Sequence, residues 1–288
     1  MKKTFTYKSI TGCDIKGDFY PTDETNAPLI MYIHGGGLIW GTREDVHKEQ
    51  IALYNQHGFH FCSIDYRLAP ESKLPDIASD IADALIWLKE TGKETFDYDP
   101  ERIAVIGSSA GGYLALLAGT FDIKPKAIVS FYGYGNILGD WYTKPSPHFT
   151  SMTTVPKMLA DQLIQPQPIS GAPIERRYAI YFYCRQQGTW LDYVTNWNPF
   201  TEADKLHAYC PIEKVVDNYP ATLLLHGDHD EDVPYSESVN MHKKIQSLDG
   251  SAQLITIPNG KHTFDQHMDD PLVKEAFEQV IAFLKENV

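Results

Sequence analysis

The chain has 288 residues, 43% apolar and 22% charged, enough for one large α/β domain or two small ones around a substantial core. A net charge of −13 and a pI near 5.2 argue against binding nucleic acid or an anionic membrane surface, because an acidic surface repels phosphate. Cys13, Cys62, Cys184 and Cys210 form no CxxC and no dense framework, which predicts reduced thiols in a cytoplasmic protein. No apolar h-region follows Met1-Lys2-Lys3 and no 18-residue apolar window occurs, so neither a secretory signal nor a membrane span is expected.

In chain order, residues 4–10 and 13–20 alternate with period two around Gly12, which predicts an antiparallel hairpin at a sheet edge. Residues 28–33 are a short apolar run that ends in His34-Gly35-Gly36-Gly37. A helix is expected over 44–57, a strand over 59–65, and a helix over 76–90 with Ile77, Ile81, Leu85 and Leu88 on one face. Strand 102–107 runs into a small apolar helix, 113–118, and strand 127–132 follows. Further strands are expected at 222–226 and 253–257, with helices at 235–247 and 272–285. Strands alternating with helices predict a mostly parallel sheet with helices on both faces, in a single domain spanning 1–288.

Residues 133–220 interrupt this rhythm. They hold nine of the 18 prolines and three of the five tryptophans. Short helices are expected at 155–165 and 174–187, with Ile174, Tyr178 and Phe182 on one face. A long, aromatic-rich insertion between two strands reads as a cap; its aromatic content argues against a disordered loop.

Gly107-Ser108-Ser109-Ala110-Gly111 matches G-x-S-x-G. Five residues alone are a weak signal, and a serine there could be a plain helix N-cap. The setting adds specificity, because the motif joins a strand to a helix as a nucleophile elbow requires. Ser109 has glycine two residues away on both sides, Ser108 does not, and the helix N-terminus favours a developing oxyanion. The HGGG turn follows a strand and lets main-chain N–H groups approach a substrate, so Gly36, Gly37 and Ala110 are the expected oxyanion donors. A phosphate loop would need an immediate helix and a partner lysine or acid, which this turn lacks. His34 is expected to orient the loop.

The base should lie in a loop after a late strand. His262 fits, with His267 as runner-up and His242 set aside as mid-helix. The acid should follow strand 222–226, where Asp228, Asp230 and Asp232 crowd together and residue chemistry alone does not choose. His226, Asp228, His229 and Asp230 could also be read as metal ligands, but no second cluster at a recognisable spacing supports this. Leu38, Trp40 and Tyr113, with the cap aromatics Trp141, Tyr178 and Phe182, are candidates to line a substrate pocket, core packing being the plain alternative for each.

The HGGG turn, Asp65-Tyr66-Arg67-Leu68-Ala69-Pro70-Glu71, Gly-Ser-Ser-Ala-Gly-Gly and His226-Gly227-Asp228-His229-Asp230-Glu231-Asp232-Val233-Pro234 stand in this order. Over about residues 15–288 the chain resembles the HGGG-type carboxylesterases of the α/β-hydrolase superfamily, near the hormone-sensitive-lipase-like esterases and the small acetyl/feruloyl-esterase-like enzymes. Ser108 stands where the lipase-like branch usually has Asp, which favours the small-esterase branch. The resemblance implies an α/β-hydrolase fold with an inserted cap and selects Asp230 as the acid, three residues before Val-Pro. It implies that Asp65 and Arg67 brace the HGGG turn. It further implies hydrolysis of carboxylic esters of small to medium acyl groups through an acyl-enzyme, without metal or organic cofactor. The expected partner is a small-molecule ester, with a homodimer as the candidate assembly. The alternatives are an amide or formamide hydrolase or peptidase with the same triad, and a non-catalytic ligand-binding relative. The last usually lacks a triad residue, and none is missing here.

Overall fold

The computed structural model describes residues 1–199 and 201–288. The strands are β1 (Lys3–Ile10), β2 (Cys13–Tyr20), β3 (Ala27–Ile33), β4 (His60–Ile64), β5 (Tyr98–Ser108), β6 (Ala127–Phe131), β7 (Ala221–Gly227) and β8 (Ala252–Ile257). They form one sheet in the order β1-β2-β4-β3-β5-β6-β7-β8. The hairpin β1–β2 and the β2–β4 pair are antiparallel; every other pair is parallel. Strands β3, β4, β6 and β7 and the second half of β5 are almost wholly buried, as strands covered on both faces must be.

Side-chain alternation divides the core. Leu29, Met31 and Ile33 of β3 face one layer, and Ile30 and Tyr32 face the other. The first layer is covered by α2 (Leu74–Glu90), α3 (Ala110–Ala118) and α11 (Ser236–Gln246), and the second by α1 (Lys48–Gln56) and α12 (Pro271–Asn287). Helix α1 starts four residues later than expected from sequence. The Asp45 carboxylate accepts from the Thr42 N–H and hydroxyl, a local turn that competes with the helix. Strand β5 starts four residues early because Tyr98 still pairs with Ala27 across an irregularity in the ladder.

Between β6 and β7 the described residues form seven helices: α4 (Asp140–Thr143), α5 (Pro147–Thr150), α6 (Lys157–Gln162), α7 (Ile174–Gln187), α8 (Trp190–Val194), α9 (Ala203–His207) and α10 (Pro211–Lys214). Tyr142, Phe149, Tyr181 and Trp190 from this insertion belong to the same apolar core as α2 and α3. The insertion therefore shares the core of the sheet rather than forming one of its own. No helix among the described residues is long and apolar enough to cross a membrane, and all four cysteines are free.

The strand order reverses beside β3. The chain goes from β3 to β4 on one side, then returns to β5 on the other. Ligand sites form at the carboxyl ends of strands at such a switch point. Register places Ile33 beside Gly107, so the HGGG turn and the serine turn leave the sheet as neighbours. Glycine at 111 permits this: a Cβ there would lie 2.0 Å from the Ile33 carbonyl oxygen and 2.5 Å from that of His34. Gly111→Ala should therefore destabilise the protein by about 1–3 kcal/mol through overpacking, read as a lowered denaturant midpoint. An unchanged midpoint would mean that the approach of α3 to β3 is not tight.

Candidate active site

Ser109 sits between β5 and α3 with φ 55° and ψ −119°, a conformation a non-glycine residue holds only where its surroundings fix it. Its N–H donates to the Phe131 carbonyl of β6, and its carbonyl accepts from Tyr113 N–H, so both sides of the turn are tied. Ser108 is buried, and its hydroxyl bonds Tyr32 Oη at 2.9 Å on the α1/α12 side of the sheet.

His262 lies after β8. Its Nε2 is 3.0 Å from Ser109 Oγ, and its Nδ1 is 2.7 Å from Asp230 Oδ2. A carboxylate only accepts, so Nδ1 carries the proton and Nε2 faces the serine hydroxyl as an acceptor. Asp230 Oδ1 accepts from the N–H groups of Asp232 and Val233, which fixes the carboxylate. Burial pushes the Asp230 carboxyl up, yet His262 and His226 together hold it well below the usual carboxylate range. Burial pushes the His262 imidazole down, and Asp230 more than reverses this, leaving it above the ordinary 6.5.

The three aspartates separate by position. Asp228 is on the turn, accepting from Asn259 N–H and pairing with His229. Asp230 reaches Nδ1 of His262, whereas Asp232 lies on the other side of the ring, 4.0 Å from Nε2. The metal-ligand reading of this segment does not match the geometry. His226 uses Nδ1 on Ser238 Oγ and Nε2 on the Val233 carbonyl, and His229 and Asp228 bond each other at the surface. His267 is exposed, beyond the helical turn Phe264–Gln266.

The HGGG turn faces Ser109 across a cavity of about 100 Å³, lined among others by Gly36, Gly37, Trp40, Ser109, Tyr181 and His262. Gly36 has φ +99°, and a Cβ on it would lie 2.0 Å from the Trp40 carbonyl oxygen, so only glycine fits. Among the described residues, the N–H groups of Gly36, Gly37 and Ala110 have no acceptor within the protein. Burial lowers the His34 imidazole, and its Nδ1 donates to the Gly35 carbonyl.

The brace of this turn differs from what the family resemblance implies. Asp65 and Arg67 do not pair with each other. Asp65 accepts from the Arg43 guanidinium and N–H, while Arg67 holds Asp80 of α2. The residue between them does the bracing: Tyr66 stacks on the His34 ring and its hydroxyl donates to the carbonyls of His34 and Gly35. Trp190 Nε1 donates to Gly37 O, and Arg177 donates to Ile39 O while paired with Glu71. Tyr132 was also not anticipated. Its ring packs against His262, and its hydroxyl donates to buried Asp265, which Gln50 also holds. Tyr66 and Glu71 lay inside a motif; Trp190, Arg177 and Tyr132 carried no local signal.

Four of the six expected pocket residues are elsewhere. Leu38 and Tyr113 are fully buried and do not line the cavity: Leu38 turns into the core, and Tyr113 stacks on Tyr134 with its hydroxyl on the Tyr209 carbonyl. Trp40 does line it, as does Tyr178 of the cap. Phe182 faces a separate groove, and Trp141 stacks on Tyr142. The geometry predicts that the His262 imidazole titrates above 6.5 by NMR and drops below it in Asp230→Asn, where burial is no longer offset. An unshifted titration in that variant would show that Asp230 does not act on His262.

Comparison with known proteins agrees with this geometry at the level of fold. The BD-FAE family profile matches residues 18–164, and the prolyl oligopeptidase family profile matches residues 178–288. A curated relative, the non-reducing polyketide synthase ausA of Emericella nidulans, is 28% identical over an alignment of 344 positions that takes in 100% of this chain; the chain spans 14% of that synthase's length. An α/β-hydrolase superfamily protein from Enterococcus faecalis superposes with a TM-score of 0.78 at 25% identity, covering 99% of both chains. An esterase from Pyrobaculum calidifontis gives a TM-score of 0.73 at 22% identity, covering 99% of this chain and 85% of that one.

Proposed function

The chain belongs to the BD-FAE family, with the α/β-hydrolase fold, and on that premise we propose that it hydrolyses carboxylic esters through an acyl-enzyme on Ser109. The observation that carries this reading is the continuous line Asp230–His262–Ser109, with hydrogen-bond separations of 2.7 and 3.0 Å, ending beside three N–H groups without acceptors among the described residues. Esterases among the structures of similar fold support the same substrate class.

In this mechanism Ser109 Oγ attacks the ester carbonyl carbon as His262 Nε2 takes its proton. Asp230 keeps the proton of Nδ1 in place and stabilises the imidazolium. The carbonyl oxygen becomes an oxyanion held by the N–H groups of Gly36, Gly37 and Ala110, each donor typically contributing about 10²–10³ in rate. His262 returns its proton to the alcohol oxygen as the C–O bond breaks. Water then adds to the acyl carbon, giving its proton to His262, and His262 passes that proton to Ser109 Oγ as the C–O bond breaks, releasing the acid and the free serine. A cavity of about 100 Å³ favours a small acyl group, since drug-sized sites occupy roughly 300–1,000 Å³. A second reading, amide or peptide hydrolysis with the same three residues, takes support from the prolyl oligopeptidase match over 178–288. Paired acetyl ester, formamide and peptide substrates separate the two.

Ser109→Ala should lower turnover of p-nitrophenyl acetate by roughly 10⁴–10⁶-fold, and wild-type turnover in that variant would end the proposal. On the same neutral ester, Asp230→Asn should lose far more activity than Asp228→Asn or Asp232→Asn, and equal losses would remove Asp230 from its role. The base works only as neutral imidazole, so kcat/KM should rise with pH through an inflection above 6.5 and be lost below it. An inflection below 6.5 would contradict the raised His262.

A further inference from the structure

Beside Ser109 the cavity wall is built from Trp40, Tyr178, Tyr181 and Asp232. The three rings form a connected set: Trp40 meets Tyr178 edge-on at 6.3 Å, and Tyr178 lies 6.3 Å from Tyr181. Asp232 spends Oδ1 on the Tyr181 hydroxyl and the Arg185 guanidinium. Its Oδ2 accepts no hydrogen bond among the described residues and stands 4.0 Å from His262 Nε2, where the reacting bond would sit. Aromatic faces and a carboxylate with a spare oxygen attract the same ligand, a cation.

The charges around the cavity point the same way. Asp45, Asp232 and Asp265 line it, and among the described residues no lysine or arginine does. Arg185 is the nearest positive charge. It is 2% exposed, enclosed by the rings of Trp141, Tyr142, Phe149 and Tyr181, and it does not reach the cavity. It balances Asp232 but not Asp45, whose acceptor oxygens meet only Thr42 among the described residues, nor Asp230 behind His262. Besides His262, the histidines on the wall are His34 and His47, and burial lowers the His34 imidazole from its ordinary value. Away from the N–H groups of the HGGG turn, an anionic substrate group would meet no lysine or arginine among the described lining residues and several repulsive carboxylates, which is how a site rejects a class of ligand.

We propose that this wall is a cation subsite, and that the substrate is an ester carrying an ammonium group, protonated or quaternary, a few bonds from the scissile carbonyl. The proposal rests on the esterase reading above and adds the substrate class to it. A purely apolar role for the three rings would leave the spare oxygen of Asp232 facing an uncharged group inside the cavity, at the cost of its lost hydration.

The test compares kcat/KM for acetylcholine and for 3,3-dimethylbutyl acetate, which replaces the charged nitrogen by carbon at the same size. The wild type should prefer the cationic ester by about tenfold or more. Asp232→Asn should reduce that ratio to near one. Because that change leaves Arg185 without its counter-charge, Trp40→Leu serves as the second variant and should lower the ratio severalfold. Calorimetric binding of tetramethylammonium gives a readout independent of turnover, and it should weaken at least severalfold in both variants. Equal turnover of the two esters by the wild type overturns the cation subsite and leaves the esterase reading standing. A ratio unchanged in both variants overturns it as well. Turnover of neither ester, with p-nitrophenyl acetate still hydrolysed, overturns the cation subsite alone; turnover of none of the three overturns both.

Discussion

The site depends on how closely helix α3 can approach the end of strand β3. Gly111 is in contact with the carbonyls of Ile33 and His34, and a Cβ on Gly107 would lie 2.1 Å from the Gly111 carbonyl oxygen. With those two side chains absent, the serine turn and the HGGG turn leave the sheet shoulder to shoulder. Ser109 and the glycines of the HGGG turn then line the same cavity. Van der Waals contact between backbones thus sets the geometry, and the strained φ of Ser109 is held by hydrogen bonds to β6 and within α3.

The insertion between β6 and β7 supports this arrangement from above. Trp190 and Arg177 reach out of it to the carbonyls of Gly37 and Ile39, and Glu71 fixes Arg177 in turn. A loop rich in glycine gains rigidity from these contacts rather than from its own conformational preferences. The same insertion contributes Tyr178 and Tyr181 to the cavity and buries Arg185 beneath four rings. An ion pair as buried as Arg185–Asp232 is weak evidence for stability, because desolvation offsets much of the attraction.

The sequence made the fold legible wherever the signal was local. Alternating and apolar runs located all eight strands, and a glycine-flanked serine between strand and helix marked Ser109. The choice of Asp230 was not local. Three aspartates within five residues are equivalent as chemistry, and only family resemblance singled out the one that reaches His262 Nδ1. Side-chain direction was illegible. Leu38 follows the HGGG turn and Tyr113 lies in the helix after Ser109, yet both point into the core. The brace around His34 failed for a related reason. Asp65 and Arg67 were expected to act on the turn, but Arg43 and Asp80, distant in sequence from one or the other, draw them away. Tyr66, between them, takes the role. Tyr132 and Trp190 owe their roles to contacts that form only once the chain has folded.

Ser109 is the residue on which everything else converges, and covalent labelling addresses it directly. A fluorophosphonate probe needs an activated nucleophile and an oxyanion site together, which a merely buried or ligand-binding serine does not provide. Mass spectrometry of the labelled protein should find a single adduct on the peptide carrying Ser109, formed rapidly in the wild type and lost in His262→Ala. An unlabelled protein, or an adduct on Ser108 or another serine, would contradict the assignment of Ser109 as the nucleophile.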